Sequence, residues 1–156
     1  MLHTPIRDAG SSRYCGPTAI AAVTGLRGSE IRDAIRQVRG NIMNAGGSHM
    51  PVSGMTNSDL MATMELLGWS IVEDCRPPNR RYPFLDFLRE HGNGGPYIVN
   101  VTGHYIAVSH GELCDADANP LPQDIAVYLR RNVGGYRNSW VRRYWQFRDT
   151  ARSDRS

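Results

Sequence analysis

The chain has 156 residues, 40% hydrophobic and 21% charged, which suits one globular domain and leaves no run of about 18 apolar residues for a membrane span. All 18 basic residues are arginine, the net charge is +3, and residues 130–156 concentrate eight arginines against Asp149 and Asp154. Three widely spaced cysteines, Cys15, Cys75 and Cys114, exclude a disulfide framework, and the N-terminus lacks an apolar leader, so reduced thiols in a cytoplasmic protein are expected.

After a polar lead, residues 15–24 read as a short helix of small residues stopped by Gly25, with Pro17 in the first turn, where a missing N–H costs nothing. A second helix is expected from Ser29, as N-cap, to about Arg39. Its apolar residues Ile31, Ala34, Ile35 and Val38 recur at helical spacing. Residues 40–55 read as a glycine-rich loop. A third helix runs from Thr56 or Asn57 to Gly68 with Leu60, Met61, Met64 and Leu67 as its buried stripe. Residues 69–75 read as a strand, 76–81 as a turn and 83–91 as a short helix closed by glycines.

Strand patterns then dominate. Strands are expected over 96–101, 104–109 and 112–117, ended by Asn119-Pro-Leu-Pro. A weak helix is expected at 123–131 and a last strand at 141–147. Helices first and an antiparallel sheet after make an α+β fold: one domain over residues 1–150, with a disordered tail at 151–156.

Chemistry is best placed on Cys15. A thiol reacts as thiolate, and a helix N-terminus favours that form through its unsatisfied N–H groups. A base must come from elsewhere in the chain. His104 is the candidate, since it follows Gly103 and opens an apolar strand, whereas His3 is terminal, His49 lies in the loop, His91 ends a helix and His110 sits in a turn. The base in turn needs an acceptor on its other nitrogen. If His110-Gly111 is a two-residue turn, Ser109 pairs with Glu112, Ile106 with Asp115, and His104 with Asp117. Both aspartates then share the face of His104. Register favours Asp117, and Asp115 is the diagonal neighbour.

The run Tyr14-Cys15-Gly16-Pro17-Thr18-Ala19, followed by Gly103-His104-Tyr-Ile-Ala-Val and an aspartate near an Asn-Pro, resembles the papain-like cysteine peptidases. The likeness is to their compact bacterial and phage members, related to the double-glycine leader peptidases of bacteriocin exporters. It covers residues 10–120 and implies a papain-like fold, with the cysteine helix packed on a mostly antiparallel sheet. It also implies a peptide or protein substrate and the triad Cys15, His104 and Asp115, the third by match to an aspartate that ends the returning strand. The family's glutamine before the cysteine is missing between Arg7 and Tyr14; Ser11, Ser12 or the Cys15 amide would have to serve the oxyanion. Losing one such donor costs about 100- to 1,000-fold in rate.

The expected function is peptide or isopeptide hydrolysis through a thioester, with no cofactor and no metal. Two alternatives stand beside it: a catalytically degenerate papain-like binding protein of phage or bacterial origin, and nucleic-acid binding by the arginine-rich C-terminal segment. A metal site from Cys15, Cys75, Cys114 and a histidine has no CxxC or HxxxH spacing behind it.

Overall fold

The computed structural model of the chain describes residues 1–8, 14–40, 54–132 and 135–153. Strands β1 (Trp69–Cys75), β2 (Tyr97–Val101), β3 (His104–Ser109), β4 (Glu112–Asp115), β5 (Asn119–Asp124) and β6 (Val141–Asp149) form one sheet in the order β1-β6-β2-β3-β4-β5. Every pairing is antiparallel. The architecture is α+β. Helices α1 (Cys15–Thr24), α2 (Gly28–Val38) and α3 (Asn57–Leu66) cover one face, and α4 (Phe84–His91) and α5 (Ile125–Arg131) belong to the other.

Two cores follow from the pleat, because alternate residues of a strand point to opposite faces. Tyr105 and Ala107 of β3 join Ile20, Ile31, Leu60 and Met64 of α1–α3 on one side. Ile106 and Val108 join Phe84, Phe87 and Tyr128 on the other. The central strands are therefore apolar on both faces, and β2 and β3 are buried throughout.

Local chemistry explains the helix ends. Gly25 closes α1 in the left-handed conformation, φ 74°, and donates its N–H to Ala21. Thr56 and Asp59 form a capping box at α3. The expected N-cap of α2 is corrected: Arg27 occupies that position, and Ser29, inside the helix, donates its N–H at 2.8 Å and its hydroxyl to the carboxylate of Asp8. A remote aspartate thus supplies the anion that the helix start favours.

Four other boundaries differ from expectation. Asn119-Pro-Leu-Pro does not end the sheet but begins β5, an edge strand where proline removes no needed donor. β4 stops at Asp115, two residues early. A 3₁₀ turn, Tyr136–Asn138, precedes β6. The tail expected from residue 151 starts as a helical turn, α6 (Thr150–Ser153), and residues 154–156 lie outside the described residues. No helix among the described residues is long and apolar enough to cross a membrane.

Candidate functional site

Cys15 is the first residue of α1, so the amides of Cys15 and Gly16 have no partner within the helix. Tyr14, the N-cap, offers no side-chain cap. Ala19, Ala21 and Ala22 let α1 lie close on the sheet, in the same core as Tyr105 and Ala107 of β3. Met55 packs onto Gly16: its Sδ would lie 2.6 Å from an added Cβ, so a larger residue there would make the Met55 side chain shift.

His104 is set by the turn in front of it. Val101 pairs with His104, which leaves Thr102 and Gly103 as a two-residue loop with φ of 56° and 89°. Both angles belong to the tight turn that matches strand twist, although a β-branched residue such as Thr102 tolerates the first poorly. The turn is tied down from two sides. The Gly103 N–H donates to Asn100 Oδ1 at 2.8 Å, and the Thr102 N–H to the Trp140 carbonyl at 3.1 Å. Asn100 Nδ2 in turn donates to Asn57 Oδ1, which also accepts the Tyr105 hydroxyl.

These elements bring Cys15, His104 and Asp115 together. The Cys15 thiol and the His104 imidazole lie near enough for each to shift the other's protonation. Nε2 of His104 lies 2.6 Å from Asp115 Oδ1, so Nδ1 is the nitrogen left for the sulfur. Asp115 is 1% exposed and collects two further donors: the Tyr128 hydroxyl at 2.9 Å and the Asp117 amide at 3.0 Å. Asp117 stands differently. It is exposed, its Oδ2 lies 3.7 Å from His104 Nδ1, and it accepts the Tyr136 hydroxyl at 2.6 Å. The Tyr136 ring stacks on the imidazole, with centroids 4.3 Å apart and planes 12° from parallel.

The hairpin pairing is the one the two-residue turn implies, with Ser109 opposite Glu112 and Val108 opposite Leu113. Even so, the imidazole bonds the diagonal Asp115. The ladder ends there, and the chain turns back so that the Asp117 amide caps the Asp115 carboxylate.

Electrostatics follow from these contacts. Burial raises the Cys15 pKa, but the bond to His104, the Tyr105 amide and the nearby imidazolium outweigh it, and the thiol falls below its ordinary value of 9.0. Asp117 works against that shift. Burial opposes charge on His104, yet the bonds to Asp115 and Cys15 carry its pKa up to about 9. Burial likewise opposes charge on Asp115, and His104, Tyr128 and the Asp117 amide hold its pKa below normal. Thiolate and imidazolium thus favour each other.

The other thiols are unlike Cys15. Burial pushes Cys114 up to about 12. Cys75 packs against the opposite core from Cys15, so the three cysteines do not converge on one ion. Among the described residues, His104, Asp115 and Asp117 have donor atoms within 4.8 Å of one another. They fit a metal poorly, because three N–H or O–H donors already point at Asp115. His91 sits among Phe87, Tyr97 and Tyr144, and His110 Nδ1 lies 2.7 Å from Ser109 Oγ.

Two supporting tyrosines escaped sequence reasoning. Tyr128 falls in the weakly helical stretch and Tyr136 in a turn without periodicity. Ser11 and Ser12, offered as oxyanion donors, and His49 lie outside the described residues. No family model, curated protein or solved structure matches the chain.

Proposed function

We propose that the chain is a cysteine hydrolase of papain-like type acting on peptide or isopeptide bonds. One observation carries this reading: a single imidazole is held at 2.6 Å by a buried carboxylate and shares its protonation with a helix-tip thiol. Nucleophile, base and orienting acceptor stand in the order that acyl transfer needs.

His104 Nδ1 holds the proton that leaves Cys15. The thiolate attacks the substrate carbonyl carbon, and the C=O electrons move onto oxygen. The amides of Cys15 and Gly16, which have no partner within the helix, are the donors available to that oxyanion. His104 then gives its proton to the departing amine as the C–N bond breaks, leaving a thioester. Water loses a proton to His104 and attacks the thioester. Collapse of the second tetrahedral intermediate expels the Cys15 thiolate and releases the acid. Asp115 stays ionised and fixes the ring with Nδ1 toward sulfur.

The test has two parts. Iodoacetamide should label Cys15 ahead of Cys75 at neutral pH, and His104→Ala should slow that labelling by about tenfold or more, as loss of a paired base does. A p-nitrophenyl ester should then release one equivalent of nitrophenolate in a burst that Cys15→Ser abolishes. Equal labelling of the two thiols, or a burst unchanged in Cys15→Ser, would overturn the assignment.

A further inference from the structure

A shallow basic cavity lies beside the turn that carries His104. It measures about 280 Å³ and is lined by Pro77, Arg80, Trp140, Val141 and Arg142. The Trp140 carbonyl holds the amide of Thr102, two residues before His104, and Trp140 follows the 3₁₀ turn whose Tyr136 stacks on the His104 ring. The cavity is therefore built on the same two turns that position the imidazole.

Its charge is uncompensated. Neither Arg80 nor Arg142 has a carboxylate partner among the described residues. The next residue shows what a satisfied arginine looks like here. Arg143 donates through Nε at 2.8 Å and Nη2 at 2.6 Å to both oxygens of Asp74, and it lies 5.2 Å from the Trp145 ring centroid. Arg142 takes no part in that arrangement because it is an extra residue in the strand. Asn100 pairs with Arg143 and Val101 with Val141, so Arg142 forms a bulge between them and its side chain is exposed. Bulges of this kind re-aim a side chain and cluster near active sites. Arg137, on the 3₁₀ turn, also keeps buried Nε and Nη2 without a hydrogen-bond partner among the described residues.

We propose that Arg80, Arg142 and Trp140 form a substrate subsite for an acidic side chain, aspartate or glutamate, flanking the bond presented to Cys15. Guanidinium forks match a carboxylate in geometry, and the indole face receives the methylene stem. A polynucleotide would draw on the same arginines, but it needs a track of stacking rings. Here the large exposed aromatics among the described residues are Trp140, 40% exposed, and Tyr14, 54% exposed. One adjoins the His104 turn and the other precedes Cys15. That placement fits a substrate laid across the site.

Calling the ligand a substrate rests on the hydrolase reading; the binding itself does not. The experiment therefore uses Cys15→Ala protein, which cannot turn over. Three fluorescein-labelled probes are titrated by polarisation: an octapeptide of alternating glutamate and glycine, its glutamine counterpart, and a twelve-nucleotide oligothymidylate. The glutamate peptide should bind at least about tenfold tighter than the glutamine one, and Arg142→Gln or Arg80→Gln should each remove most of that preference. The urea unfolding midpoint of the Cys15→Ala protein carrying Arg142→Gln should match that of Cys15→Ala alone, which shows the fold is intact. Equal binding of the two peptides, no binding of either, or tighter binding of the oligothymidylate would overturn the subsite. An intact glutamate preference beside a missing ester burst would leave the subsite standing and remove the hydrolase.

Discussion

Asp115 carries a charge at 1% exposure, and that is tolerable only because three donors surround it. Among the described residues, Tyr128 supplies the bond to Oδ2. Tyr128→Phe keeps the ring in its core and removes that bond, together with the hydroxyl's interaction with the Tyr136 amide. It should destabilise the protein by about 1–3 kcal/mol, the cost of an unsatisfied buried acceptor, read as a lower unfolding midpoint in urea. The two aspartates beside His104 should separate in the opposite sense. Asp115 favours the imidazolium and, through it, the thiolate, whereas Asp117 raises the Cys15 pKa. Asp115→Asn should move the pH midpoint of iodoacetamide labelling upward, and Asp117→Asn should move it downward. Shifts in the same direction would mean that Asp117 shares the orienting role. Sequence register favours Asp117 and the family resemblance Asp115; the imidazole bonds Asp115 because β4 stops there.

At the scale of elements, the β2–β3 turn decides whether His104 is in place. Thr102 sits at φ 56°, a conformation costing about 1–3 kcal/mol for a residue of its kind, so the surroundings must hold it. Asn100 does this with its Oδ1 on the Gly103 amide, and its Nδ2 ties the turn to Asn57 on α3. Asn100→Ala should cost about 2 kcal/mol and slow Cys15 labelling even at temperatures where the protein stays folded. Unchanged labelling would show that the strand pairing alone positions the imidazole. Much of this level is readable in the sequence, because it depends on local pattern. Helical spacing marks α2 and α3, apolar runs mark β2 and β3, and His110-Gly111 marks the turn that sets the hairpin pairing. What escapes depends on position in the whole. Pro120 and Pro122 read as the end of a strand, and only the order of the sheet shows that they lie on an edge where proline is harmless. Nothing local says that Tyr136 will meet His104, or that Asp8 will cap α2.

At the scale of the molecule, the site draws on all three layers. α1 brings the thiol from one face, β3 and β4 bring the imidazole and carboxylate, and α5 with the 3₁₀ turn brings Tyr128 and Tyr136 from the other. A site assembled this way couples its protonation to folding. The His104 pKa is raised from 6.5 to about 9, so its contribution is full below 6.5 and is lost as pH rises toward 9. Asp115 is lowered from 3.8, so its contribution is present above 3.8 and is lost as pH falls through the depressed value. Cys15, also lowered, gains stability as pH rises and would mask the alkaline limb. The comparison is therefore made between Cys15→Ser protein and the same protein with His104→Gln. The single variant should be more stable by about 2 kcal/mol on a plateau between pH 3.8 and 6.5, and that advantage should shrink on both sides. An advantage that grew above pH 6.5 would mean that His104 is held neutral in the folded protein. The thiolate–imidazolium pair, and with it the low-pH reactivity expected of Cys15, would then fail together.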